Sequence, residues 1–167
     1  PNLLLGEDTS PGGDGRKKIL GVVGFGRIGQ AVTRRAMGFD MRVLAYDPYA
    51  REAIEADGQA EWADLDVLLA KSDFVSIHTL LSNETRHLIS TAEFEKMKPT
   101  AYILNAARGP IIDEAALVVA LNEGQIAGAG LDVYEREPEM VQGLAECENA
   151  VLLPHLGSAS RGTRDKM

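Results

Sequence analysis

A chain of 167 residues that is 45% hydrophobic and 25% charged can bury one domain-sized core, and this balance excludes intrinsic disorder. A formal charge of −8 excludes a basic face of the kind that phosphate backbones require, so no nucleic-acid partner is expected. No apolar run reaches transmembrane length, the opening residues do not read as a secretory signal, and the single Cys147 excludes an internal disulfide or a cysteine metal cluster. The expectation is a cytoplasmic protein with no membrane partner, no metal, and a structural thiol.

In chain order, residues 1–18 read as an irregular connector, with Pro11-Gly12-Gly13-Asp14-Gly15 as a loop. The apolar run Ile19-Leu20-Gly21-Val22-Val23 then leads straight into Gly24-Phe25-Gly26-Arg27-Ile28-Gly29, a strand followed by G-x-G-x-x-G. In this pattern the first glycine allows a tight turn, the second lets backbone approach a pyrophosphate, and the third packs the new helix against the sheet. That helix is predicted over 26–37, with Ile28, Ala31, Val32 and Ala36 facing the sheet and Gly38 at its end. A second strand over 41–46 ends at Asp47, roughly 20 residues past the glycines, where a ribose-binding carboxylate belongs.

Helix 64–70 follows, with Leu65, Leu68 and Leu69 on one face, then a strand over 74–78 and a helix broken at Pro99. Strands over 101–105, 127–133 and 150–153 and a helix over about 113–121 complete the pattern. Strands alternating with helices predict an α/β fold: a doubly wound parallel sheet, three layers deep, of the Rossmann type.

Ligands of such sheets bind beyond the carboxyl ends of the strands. The residues there are Asp47, His78-Thr79, Ala106-Ala107-Arg108, Asp132 and Pro154-His155. Arg108 has the planar fork to hold a carboxylate by two hydrogen bonds; it could equally be a surface arginine or pair with Asp113. His155 has the titration range of a proton donor and acceptor, and a structural histidine is the plainer alternative. Glu137, in Glu135-Arg136-Glu137-Pro138, reads as a solvated acidic turn unless it meets His155, where its charge would stabilise the imidazolium. His87 sits in a predicted helical segment and reads as a surface residue, with His78 intermediate.

These segments resemble the cofactor-binding domain of the D-isomer-specific 2-hydroxyacid dehydrogenases, most closely the glyoxylate and hydroxypyruvate reductase and phosphoglycerate dehydrogenase branch. The resemblance runs from Asn2-Leu3-Leu4-Leu5-Gly6 to Gly157-Ser158. Its most specific parts are Asn105-Ala106-Ala107-Arg108-Gly109-Pro110-Ile111-Ile112-Asp113-Glu114, Gly128-Ala129-Gly130-Leu131-Asp132-Val133, Glu137-Pro138 and Pro154-His155-Leu156-Gly157-Ser158. It implies that Arg108 binds substrate, that His155 is the acid/base and that Glu137 pairs with it. It also implies an NAD site drawing on Gly24, Gly26, Arg27, Ile28, Gly29, Asp47, His78, Thr79, Thr85, Ala106, Arg108, Asp132, His155 and Gly157, with Asp132 holding the nicotinamide carboxamide.

Two departures stand out: His78-Thr79-Leu80 replaces the family's His-x-Pro, and residues 10–18 form an extended segment before the first strand. Family members also carry a second, substrate-binding domain. Residues 1–18 therefore read as a connector from it, 19–157 as the dinucleotide-binding domain, and 158–167 as the start of the return. On that reading the chain alone is expected to bind cofactor but turn over little substrate. The implied reaction is hydride transfer between NAD(H) and a small 2-oxo or 2-hydroxy acid in a homodimer. Phosphoglycerate, formate or phosphite dehydrogenase and a dinucleotide-sensing, corepressor-like module stay open.

Overall fold

The computed structural model describes residues 18–159. The expected 11–15 loop, the 10–18 segment up to residue 17, and residues 160–167 of the return connection lie outside the described residues. Seven parallel strands, β1 (Ile19–Val23), β2 (Arg42–Tyr46), β3 (Glu61–Trp62), β4 (Phe74–Ile77), β5 (Tyr102–Asn105), β6 (Gly128–Leu131) and β7 (Ala150–Leu152), form one sheet in the order β3-β2-β1-β4-β5-β6-β7. The chain winds outward from β1 to β3, returns to β4 beside β1, and then winds the other way. Loops on the two sides of that reversal diverge and leave a crevice between them.

The helices are α1 (Arg27–Met37), α2 (Arg51–Asp57), α3 (Leu65–Lys71), α4 (Thr91–Phe94) and α5 (Glu114–Asn122), with a 3-10 turn at Gly109–Ile111. On one face of the sheet Val75, Ile77, Ile103 and Leu131 pack with Leu68 and Leu69 of α3, Phe94 of α4 and Leu117 and Leu121 of α5. On the other, Leu20, Val22, Val43 and Ala45 pack with Ala36 of α1 and Ile54 of α2. Burial on both faces explains why β1, β2 and β4 are continuously apolar instead of alternating. Cys147 is buried in the first cluster. Among the described residues no helix is long and apolar enough to cross a membrane.

The structure corrects several expectations. In α1 Ala36 is buried and Val32 packs against that core as expected, but Gly29 and Thr33 complete the buried face while Ile28 is 65% exposed and Ala31 only partly covered. The sheet approaches α1 so closely at Gly29 that small residues join Val32 in forming the contact face. The helix placed before Pro99 is the single turn α4, ending at Phe94, and His87 lies in a turn with φ of 51° instead of a helix. Sequence reading missed β3 and α2: the strand has two residues, and α2 carries one large apolar residue, Ile54, too few for a periodic signal. Leu104, Gly130 and Val151 are cross-strand neighbours on the α1 face, and there Leu104 and Val151 are exposed.

Candidate functional site

The turn after β1 is shaped by its glycines. Gly24 adopts φ of 95°, donates to the carbonyl of Tyr46 at 2.8 Å, and lies so close to the backbone of Thr79 that a Cβ would meet its nitrogen at 2.6 Å. A Cβ on Gly29 would meet the carbonyl oxygen of Gly24 at 2.1 Å, so α1 starts against the strand it follows. At Gly26, by contrast, a Cβ would meet nothing within 4 Å. The turn is therefore open where a phosphate would approach the first N–H groups of α1, with Gly26, Arg27 and Ile28 exposed at its mouth.

Beside this turn, in the crevice at the β1/β4 reversal, lies a cavity of about 410 Å³ lined by Gly24, Gly26, Asp47, His78, Thr79 and Thr85, among others. Asp47 is half-buried at its rim; Oδ2 accepts from the Phe25 N–H at 3.0 Å and Oδ1 from the Tyr49 N–H at 3.0 Å. Those bonds fix the carboxylate over the glycine turn and leave lone pairs for ribose hydroxyls. Thr85 closes the opposite wall by donating to the Leu80 carbonyl at 2.6 Å and accepting from the Ser82 N–H at 2.7 Å. This bond anchors the loop at the position where proline is replaced by Leu80. His78 meets Ser76 Oγ at 2.8 Å, and burial pushes its titration down, so it is a neutral wall residue. Glycine turn, carboxylate and cavity fit an adenine dinucleotide such as NAD.

The other half of the site stands at the ends of β5, β6 and β7. Buried Asn105 folds the turn that follows it: its amide donates to the Arg108 carbonyl at 3.0 Å and its Oδ1 accepts from the Ala107 N–H at 3.0 Å. Gly109 then packs so tightly on the next loop that a Cβ would sit 1.9 Å from the Tyr134 carbonyl carbon. With its backbone held at both neighbours, Arg108 extends an exposed guanidinium whose Nη1 donates to the Ala107 carbonyl at 2.6 Å. The pairing with Asp113 does not occur: Asp113 instead caps α5 by accepting from the Ala116 N–H at 3.1 Å and takes the Ser90 hydroxyl at 3.0 Å.

Glu137 and His155, separate in sequence, meet. Nδ1 of His155 lies 2.9 Å from Oε2 of Glu137, and Oε1 accepts from the Tyr134 N–H at 3.1 Å. The His155 hydrogen bond, then that of Tyr134, holds the Glu137 carboxyl below the usual carboxylate range. Nε2 of His155 is left for another partner. Asp132, nearly buried, accepts from the N–H groups of Leu156 and Gly157, both at 2.6 Å. Both of its oxygens thus hold the segment that carries His155. Ala106 is exposed beside the Arg108 turn.

Sequence reasoning missed Asn105, Tyr134 and Glu114 as contributors. Glu114, buried at the start of α5, accepts from the Glu135 N–H at 2.7 Å and returns its own N–H to Glu135 Oε1 at 3.0 Å. Burial pushes its carboxyl up, against the opposing pull of the N–H groups of Glu135 and Val141. A glutamate in the first turn of a helix reads as ordinary dipole complementarity, so nothing in sequence separated it from its neighbours. His87 is a surface residue that meets Glu135 at 3.1 Å.

A doubly wound sheet with an open glycine turn and a carboxylate at the next strand end defines a dinucleotide-binding α/β domain. Residues 5–157 match the NAD-binding domain of the D-isomer specific 2-hydroxyacid dehydrogenases. The chain belongs to that family, and the cofactor of its domain is NAD. It is 49% identical to a glyoxylate reductase of Thermococcus gammatolerans over 167 residues, 100% of this chain and 48% of that protein. A glyoxylate reductase structure from Paecilomyes thermophila superposes with a TM-score of 0.80 at 42% identity, covering 89% of this chain and 45% of that one. The NAD-complexed D-isomer specific 2-hydroxyacid dehydrogenase of Lactobacillus delbrueckii ssp. bulgaricus gives 0.80 at 32% identity, with 87% and 48% covered. The chain spans about half the length of the curated relatives it matches.

Proposed function

We propose that this chain is the cofactor-binding and proton-transferring part of a reductase that converts small 2-oxo acids, glyoxylate or hydroxypyruvate first among them, to 2-hydroxy acids. The Glu137–His155 pair at 2.9 Å, at the same sheet edge as an arginine free to take a carboxylate, carries the reading. Relatives named glyoxylate reductase support the choice of substrate. When bound, NADH supplies the hydride. Gly24, Gly26, Gly29 and the start of α1, with Arg27 and Ile28, hold the pyrophosphate; Asp47 holds the adenosine ribose. His78, Thr79 and Thr85 wall the crevice, and Ala106, Asp132 and Gly157 border the nicotinamide. Arg108 grips the substrate carboxylate, and His155 Nε2 delivers a proton to the carbonyl oxygen while Glu137 holds the ring oriented through Nδ1.

In the same reading residues 19–157 are the cofactor domain, and the complete protein, as its relatives' length supports, adds a second domain over the substrate. The exposed Leu104 and Val151 support burial of that face in a homodimer, and the buried free thiol of Cys147 suits a cytoplasmic setting. The test is NADH oxidation by the complete protein with glyoxylate and hydroxypyruvate. Tight NADH binding without turnover of any 2-oxo acid would favour a dinucleotide-sensing module instead. Turnover only of phosphoglycerate, formate or phosphite would leave the family and move the substrate.

Cofactor choice follows from Asp47. Its carboxylate accepts from ribose hydroxyls and repels a 2′-phosphate. Arg51, a nearby cation that could compensate, is held by Glu55 at 2.9 Å and lies 4.2 Å over the Trp62 ring. NAD(H) is expected to bind about 100-fold more tightly than NADP(H), and Asp47→Ser to close most of that gap. Fluorescence titration of both reduced cofactors checks it.

The pH dependence has a definite sign. Reduction requires protonated His155, so it falls as pH rises through the midpoint of that ring, while oxidation rises. The contact with His155, then that with the Tyr134 N–H, holds the Glu137 carboxyl below the usual carboxylate range, so the carboxylate persists into acid, and Glu137→Gln is expected to lower kcat for reduction by about tenfold across the neutral range. A kcat profile against pH for both proteins decides it; superimposable profiles would mean that Glu137 does not hold His155 for proton transfer.

A further inference from the structure

We propose that Tyr134 is a positioning residue of this site, its hydroxyl tying the loop that presents Glu137 to the strand end that presents His155. The inference rests on the reading of Glu137 and His155 given above.

Tyr134 touches all three parts of the catalytic edge. Its N–H donates to Glu137 Oε1 at 3.1 Å, its backbone lies against Gly109 beside Arg108, and its hydroxyl donates to the Leu153 carbonyl at 2.8 Å. The first two contacts use backbone and would survive almost any residue. The third depends on the phenol. It reaches from the loop after β6 to a position two residues before His155. Burial, then the charge of Asp132, pushes the Tyr134 hydroxyl up, so it remains a neutral donor across the working range.

His155 stands in the left-handed region, φ of 55°, which a non-glycine residue keeps only when its surroundings hold it. The structure provides a holder on each side. Before it, the Leu153 N–H donates to Leu131 at 2.9 Å and the Leu153 carbonyl accepts from Tyr134. After it, Asp132 takes the N–H groups of Leu156 and Gly157. The charged groups near the ring are Glu137, in contact, and Asp132, under the following residues. With the Tyr134 hydroxyl removed, Leu153-Pro154 loses one tether and the ring spends less time against Glu137, while Arg108 and the NAD crevice keep their own supports.

Tyr134→Phe removes only the hydroxyl and keeps the ring. In the 167-residue chain, ¹⁵N NMR of the His155 ring is expected to show a more mobile side chain with weaker hydrogen bonding at Nδ1, with the NADH affinity unchanged within about twofold. In the complete protein kcat for glyoxylate is expected to fall about threefold to tenfold while KM, which reports Arg108, stays within about twofold. In a Glu137→Gln background the hydroxyl should no longer matter, and the second substitution should add no further loss of kcat. Identical His155 signals in wild type and Tyr134→Phe, or an undiminished effect in the Glu137→Gln background, would overturn the proposal. So would a Tyr134→Phe chain that does not fold, because the hydroxyl would then serve the fold at large. A complete protein that reduces no 2-oxo acid overturns the reductase reading alone, since the ring signals answer the Tyr134 question whatever the reaction is.

Discussion

His155→Ala is expected to lower kcat for glyoxylate reduction by about 10²- to 10⁴-fold while leaving the NADH dissociation constant within about twofold of wild type. The size follows from what the side chain is placed to do. Its Nδ1 is committed to Glu137, which leaves Nε2 open to carry the proton in the proposed reaction. Without that carrier the developing alkoxide must take its proton from water, unassisted and unoriented. The cofactor affinity should survive because the glycine turn, Asp47 and the Thr85 wall lie at β1, β2 and after β4, apart from the β7 end. Stopped-flow absorbance of NADH with saturating glyoxylate measures the first quantity and calorimetry the second. A variant that keeps more than about a tenth of the wild-type kcat would show that His155 is a structural residue and that the proton comes from elsewhere.

How much of this was legible in the sequence differs from level to level. The six longer strands and their parallel arrangement were legible because each is an apolar run bounded by glycine, asparagine or proline signals, and these run lengths distinguish buried strands from helices. The β3 strand was not, since Glu61–Trp62 owes its place to pairing with β2 and not to its own pattern. The buried face of α1 was read only in part, Ala36 and Val32 correctly and Ile28 wrongly, for a related reason. Periodicity finds large apolar residues, and here close approach of helix to sheet selects Gly29, Thr33 and Ala36.

The site divides in the same way. Strand-end residues were legible because a parallel sheet brings all its carboxyl ends to one edge, so Asp47, His78, Arg108, Asp132 and His155 could be named before any contact was known. The partnership of Glu137 with His155 could not be read from spacing, because 18 positions separate them and two loops must fold to bring them together. Asn105, Glu114 and Tyr134 were invisible for a further reason. Glu114 and Tyr134 act through backbone atoms of other segments and Asn105 through those of the turn that follows it, and a sequence shows which groups can form hydrogen bonds without showing which carbonyl or N–H they will meet.

Arg108→Lys is expected to reduce kcat/KM for glyoxylate by about 10²-fold, and this loss should depend on the carboxylate of the substrate. The Arg108 backbone is fixed by Asn105 and by the packing of Gly109 on Tyr134, so the change does not loosen the turn. What changes is the head group. The guanidinium offers two parallel N–H donors to a carboxylate and has no carboxylate partner among the described residues; in lysine a single ammonium of the same charge must serve. Charge alone would therefore preserve attraction but not orientation, and orientation is what aligns the carbonyl carbon and its oxygen with His155 Nε2. Glycolaldehyde, which has a reducible carbonyl and no carboxylate, separates the two contributions. Wild type should prefer glyoxylate strongly, and Arg108→Lys should lose that preference while its slow rate on glycolaldehyde stays within about threefold of wild type. An equal loss on both substrates would place Arg108 in the support of the cofactor or the loop instead of on the carboxylate.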